Sequence, residues 1–131
     1  MKILVHGNVQ GTVLKSENSI NFLGTVEKKS GVITDQNHDL YNKSIKDSIL
    51  VFSSGVGSSV GAYTIYSIKS NNSAPLAMIC LKADLTVATG CALADIPLLI
   101  VSDDEFNSLK TGMSVVINTK ADSPITFEIK K

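Results

Sequence analysis

Three unbroken apolar runs in the second half of the chain, Ile-Leu-Val-Phe at 49–52, Ala-Met-Ile-Cys-Leu at 77–81 and Leu-Leu-Ile-Val at 98–101, restrict the fold more than any other feature. Successive side chains of a strand point to opposite faces, so a strand is apolar at every position only when both faces are covered. The intervening stretches, 58–70 and 85–94, carry apolar residues at helical spacing. That order predicts a parallel sheet joined by helical crossovers. Pro75 and Pro97 stand just before the second and third runs, where their fixed backbone ends the preceding segment.

The first half has a different rhythm. Short apolar segments at 2–6, 11–14, 20–26 and 31–34 are broken by glycine, asparagine and serine, which predicts short strands and turns. Asn21-Phe22-Leu23-Gly24 falls at one strand and turn junction. Beyond the last apolar run, Asp103-Asp104-Glu105-Phe106 opens a short helix that ends near Gly112, with acids placed to suit the helix dipole. Late strands follow at 114–118 and 124–129. The expected architecture is therefore α/β, one domain over 1–131, with a β-rich N-terminal half and a parallel strand-helix-strand C-terminal half.

At 131 residues the chain is long enough for a real core but short for an enzyme that encloses its own active site, so it reads as part of a larger assembly. Twelve basic and twelve acidic side chains leave no net charge, which disfavours a nucleic acid partner. No apolar run approaches the roughly 18 residues of a membrane span, and the N-terminus reads as a first strand rather than a signal peptide; a cytoplasmic protein is expected. Every basic residue is lysine. Arginine grips phosphate or carboxylate in a fixed fork, so an acidic substrate here would need that fork from another chain. Cys80 and Cys91 have neither a second cysteine nor a histidine at ligand spacing and are read as buried thiols, with no metal assigned.

The segment Gly55-Val56-Gly57-Ser58-Ser59-Val60-Gly61 lies where the first parallel strand hands over to a helix. Backbone N–H groups at a helix N-terminus lack partners within the helix and can bind an anion or a developing oxyanion. The segment lacks the lysine followed by serine or threonine of the nucleotide-phosphate loop, and its spacing is not that of the hydrolase nucleophile elbow. Spacing alone leaves an anion site and a structural turn equally open.

The chain from 49 to 100 resembles the aconitase X swivel-domain, or small-subunit, family. The resemblance rests on the Gly-x-Gly-Ser-Ser-x-Gly loop, the Ala74-Pro75 pair, the Gly90 and Ala92 helix, and Ile96-Pro97 before the last parallel strand. The N-terminal half matches in outline at 19–24, at Gly31-Val32-Ile33 and at His38-Asp39-Leu40-Tyr41. Members often carry an arginine between the first two glycines and a third serine after the pair, whereas this chain has Val56 and Val60.

The resemblance implies a swivelling β/β/α domain that caps a larger aconitase-like subunit bearing a 4Fe-4S cluster. It further implies a hydro-lyase acting on a small phosphorylated or carboxylate substrate, with mevalonate 5-phosphate dehydrated to an anhydromevalonate phosphate in isoprenoid synthesis. In that scheme the cluster iron is the Lewis acid for the departing hydroxyl, and Ser58 holds the position of the catalytic base. Ser59, Gly57, Val60, Gly61 and His38 are the expected substrate contacts, Ser58 capping the helix and Ser59 entering its first turn. The rival readings are a dehydratase of another hydroxy acid such as hydroxyproline, a non-catalytic subunit, and a phosphocarrier domain. The last would want a histidine in the loop, and His6 and His38 both lie outside it.

Overall fold

The computed structural model describes residues 1–57 and 60–127. Seven strands form one curled sheet: β1 (Lys2–Val5), β2 (Asn8–Lys15), β3 (Ile49–Ser54), β4 (Ala77–Lys82), β5 (Leu98–Ile100), β6 (Ser114–Asn118) and β7 (Ile125–Phe127), in the spatial order β1-β5-β4-β3-β2-β6-β7. The central strands β2, β3, β4 and β5 are parallel, with Val13 opposite Ile49, Ile49 opposite Ala77 and Met78 opposite Leu98. Antiparallel strands close both sides, β1 on β5 and then β6 and β7 beyond β2. The α/β architecture, with its parallel strand-helix-strand half, is thus as expected.

The apolar runs divide their side chains between two cores. Leu50, Phe52, Met78, Cys80 and Leu98 pack on one face with Ile65 and Ile68 of α2 (Gly61–Ser70) and Val87 and Cys91 of α3 (Leu85–Ala94). Ile49, Val51, Ala77, Ile79 and Leu99 pack on the other face with Phe106 of α4 (Asp103–Ser108) and Val115 and Ile117 of β6. Alternate burial on both faces accounts for strands without a polar position. Helix α4 opens on the acids as expected but ends at Ser108, short of Gly112, and Ser102 caps it in a capping box with Glu105.

The first half departs from the expected strands. Residues 20–26 are not a strand: Phe22–Thr25 forms a single helical turn, α1, and Ile20 and Val26 make only isolated bridges, to Gly55 and Ile33. Residues 31–34 likewise contribute bridges, Val26 to Ile33 and Val32 to Ser44, rather than a strand. The cause is local. Asn21 Oδ1 accepts from the Leu23 N–H, and the Thr25 hydroxyl donates to the Asn21 carbonyl, so side chains take backbone groups that a ladder would have used. The apolar residues Ile20, Phe22, Val26, Ile33, Leu40 and Ile45 are buried all the same, in the core beneath α2 and α3. The second helix also starts later than expected, at Gly61 rather than 58, with Val60 in the N-cap position and no side-chain cap bond. No helix among the described residues is long and apolar enough to cross a membrane.

Candidate functional site

The glycine loop leaves the carboxyl end of β3 and lies among three helix starts. In parallel sheets this is the end at which ligands bind. Residues 18–20 continue alongside β3 beyond β2: Ser53 N–H donates to Asn18 O at 3.3 Å, Ile20 N–H to Ser54 O at 3.0 Å, and Val56 N–H to Ile20 O at 3.1 Å. A Cβ on Gly55 would stand 2.5 Å from Asp84 Oδ1, the atom that accepts the Val87 N–H and caps α3. Gly57 has φ +99°, and a Cβ there would stand 2.8 Å from Asn21 Oδ1, the atom that caps α1. Both the left-handed backbone and the close approach require glycine. Gly61, the first residue of α2, is buried with Thr86 Cγ2 at 3.0 Å and Leu23 N at 3.5 Å from its own Cβ position. The starts of α1, α2 and α3 therefore meet around one loop. Beneath it, the Phe22 ring stands edge-on to Phe52 of β3 at 5.9 Å between centroids.

Of the expected site residues, Gly57, Val60 and Gly61 sit together here. Val60 is half-exposed with a helical backbone, and Val56 is exposed beside it. Ser58 and Ser59 lie outside the described residues, together with the expectation that they cap and open the helix. His38 reaches the loop at one remove. Its side chain is 8% exposed; Nε2 lies 3.0 Å from Ser19 O, and Nδ1 lies 3.0 Å from Leu40 N. The Ser19 carbonyl can only accept, so Nε2 carries a proton and donates it to Ser19. Ser19 in turn precedes Ile20, which pairs with the loop strand. His6 lies at the other end of the sheet, with Nδ1 2.9 Å from Thr119 Oγ1. There it lines a cleft of about 370 Å³ with Asp47, Lys69, Asp95 and Pro97, where the parallel strands begin.

Asp39 staples the His38 turn to the end of β2. Its carboxylate accepts from the Ser16 hydroxyl at 2.6 Å and from the Glu17 N–H at 3.0 Å, and stands 3.0 Å from His38 Nδ1. Burial opposes its charge, but the Ser16 and Glu17 bonds prevail and hold its pKa below the ordinary carboxylate value. A carboxyl depressed on folding stabilises the fold above its unfolded pKa and loses that contribution as the pH falls through the folded one. Asp39→Asn is thus expected to lower the melting temperature at neutral pH, and the gap to the parent chain should close as the pH drops below about 4. Thermal melts across pH 2.5–7 (about that range) check this; a gap that stays constant with pH contradicts it.

Both cysteines are free and fully buried, on β4 and α3, and Cys91 Sγ lies 3.5 Å from Met78 Sδ. Burial, with Asp84's charge adding to it, pushes the Cys80 thiol up to about 12, and burial raises Cys91 as well. A 4Fe-4S cluster takes about four thiolates, and two inert core thiols do not provide them. Among the described residues no group of three or more His, Cys, Asp or Glu is placed to hold a metal ion.

Asn21, Asp84 and Thr86 frame the loop and were not among the expected site residues. Asn21 and Asp84 do carry a sequence signal, since each is a capping residue type immediately before an apolar helical start.

A family model, the aconitase X swivel domain, matches residues 1–126. The chain belongs to the aconitase X swivel-domain family. It is 42% identical over 119 residues to the phosphomevalonate dehydratase small subunit of Methanococcoides burtonii, covering 90% of this chain and 87% of that one. It is 43% identical over 115 residues to the protein of the same name from Thermococcus kodakarensis, covering 88% and 85%. Among solved structures, the crystal structure of Thermococcus kodakaraensis aconitase X in its holo-form matches with a TM-score of 0.89 and 40% identity, over 98% of this chain and 95% of that one.

Proposed function

We propose that this chain is the small subunit of a two-chain hydro-lyase that dehydrates mevalonate 5-phosphate to an anhydromevalonate phosphate, in a route to isoprenoids. The single observation that carries the reading is the glycine loop at the carboxyl ends of the parallel strands, in a chain about 40% identical to named phosphomevalonate dehydratase small subunits over about nine-tenths of its length. The domain, 1–131, is one wall of the active site. The 4Fe-4S cluster belongs to the larger subunit, because the thiols of this chain are spent in its core.

Dehydration removes a proton from one carbon and hydroxide from its neighbour, leaving a carbon–carbon double bond and water. Ser58 is the base: its oxyanion takes the carbon-bound proton and becomes the hydroxyl. A serine oxyanion needs positive surroundings. The start of α2, ten residues long and without a side-chain cap, supplies the positive end of a helix dipole beside the loop. Ser59 and the backbone of Gly57, Val60 and Gly61 hold the acidic end of the substrate, and His38 supports them through Ser19. The larger chain supplies the guanidinium groups that this one lacks. Exposed apolar residues around the loop, Leu23, Val56, Val60 and Leu85, the last 73% exposed, support a protein partner on this face.

The substrate is tested in the assembled two-chain enzyme by offering mevalonate 5-phosphate and hydroxyproline separately. Turnover of the phosphate ester is expected; dehydration of hydroxyproline in its place would move the chain to the other branch of the family.

A further inference from the structure

The Asn21 amide is held on both sides. Its Oδ1 accepts the Leu23 N–H at 3.2 Å, and its terminal atoms lie against Gly57, with Oδ1, Cγ and Nδ2 at 2.8, 3.0 and 3.2 Å from the point where a Cβ would stand. The oxygen is committed as a helix cap, so the amide cannot turn over without leaving the Leu23 N–H unpaired. That orientation makes the Nδ2 amino group the donor end of the side chain. It has no hydrogen-bond partner among the described residues, although the side chain is half-buried beside the loop. The neighbouring carboxylate, Asp84, has Oδ1 turned to the Val87 N–H.

We infer that Asn21 is a substrate-binding residue, whose Nδ2 donates to an anionic oxygen of the substrate lying over the Gly57 turn. The inference rests on the proposed site and adds to it a neutral donor in a chain without arginine. An amide N–H recognises phosphate and carboxylate oxygens alike without adding charge, and this one lies against the Gly57 turn. Because its oxygen fixes α1 while its nitrogen faces the loop, the cap and the donor can be separated by substitution.

Asn21→Asp keeps the capping oxygen and replaces the donor with a negative charge, whereas Asn21→Ala removes both. A merely structural role predicts that alanine damages the two-chain enzyme while aspartate is close to the parent. The donor role predicts the reverse order in KM: a rise of roughly tenfold or more for aspartate, a smaller rise for alanine, and a lesser change in kcat for both. Inhibition by inorganic phosphate and by unphosphorylated mevalonate shows which end of the substrate is held, since only one of the two should weaken in Asn21→Asp. An Asn21→Asp enzyme with KM and both inhibition constants within twofold of the parent overturns the inference. Titration of the two-chain complex with inorganic phosphate and then mevalonate, read at the Asn21 side-chain amide resonances, decides the matter independently of turnover. A saturable shift with either supports it and no shift with both contradicts it, while an assembled parent enzyme that fails to dehydrate mevalonate 5-phosphate counts against the proposed reaction alone.

Discussion

Replacing Ser58 with alanine is expected to lower turnover of the two-chain enzyme by roughly a hundredfold to ten-thousandfold, the usual cost of losing a positioned base, with little change in KM. Because loss of a helix cap can by itself cost about 1 kcal/mol, the fold and assembly of the Ser58→Ala enzyme are measured beside its turnover. Ser59→Ala is expected to raise KM more than Ser58→Ala does. Steady-state kinetics on complexes shown to be assembled separates the two. A folded, assembled Ser58→Ala enzyme with near-normal turnover beside an inactive Ser59→Ala enzyme would exchange the two roles; if both stay active, serine is not the base and the loop serves only to bind an anion.

The largest effect on stability is expected at Phe52. It is fully buried near the end of β3, and its ring meets Phe22 of α1 edge-on, so it joins the strand that delivers the loop to the helical turn that Asn21 caps. Phe52→Ala should cost about 3–5 kcal/mol, a large share of the roughly 5–15 kcal/mol that holds such a domain together. Phe22→Ala should cost less than the sum suggests once Phe52 is gone, because edge-on aromatic pairs carry about 0.5–1.5 kcal/mol beyond burial. Denaturant unfolding of the two single variants and the double variant measures both terms. A loss below about 1 kcal/mol for Phe52→Ala would mean that the site collapses onto the cavity and that the pair does not tie α1 to β3.

The parallel half was legible because both of its faces are buried. Continuous apolar runs, helical spacing and punctuating prolines all point to one architecture, and the expected helix at 85–94 matches α3 to the residue. The stretch from 16 to 48 was less legible. Its buried residues, Ile20, Phe22, Val26, Ile33 and Leu40, are spaced as a strand and turn segment would space them, yet side-chain bonds from Asn21 and Thr25 and single bridges organise the chain instead. Patterning reports burial; it does not report which group takes each backbone N–H.

The loop shows the same division. Its glycines are visible in sequence because φ and close approach demand them, and Gly57 meets both demands. The residues that demand them are not visible there. Asn21 and Asp84 press on Gly57 and Gly55 from 36 and 29 positions away in the chain (57 − 21 and 84 − 55), a relation that exists only once β3 is laid between its neighbours. For His38 too the partners are invisible in sequence: its ring nitrogens meet Ser19 O and Leu40 N, bonds that exist only once the chain is folded.

The most direct test of a shared active site compares three samples under anaerobic conditions: this chain alone, the cluster-loaded larger subunit alone, and the two at equal concentration. Consumption of mevalonate 5-phosphate is followed by phosphorus resonance and the dehydrated product by mass. The account predicts no product from either chain alone and sustained turnover from the mixture. Full turnover by the larger subunit alone, turnover by this chain alone, or a stable mixed complex that dehydrates nothing would contradict it.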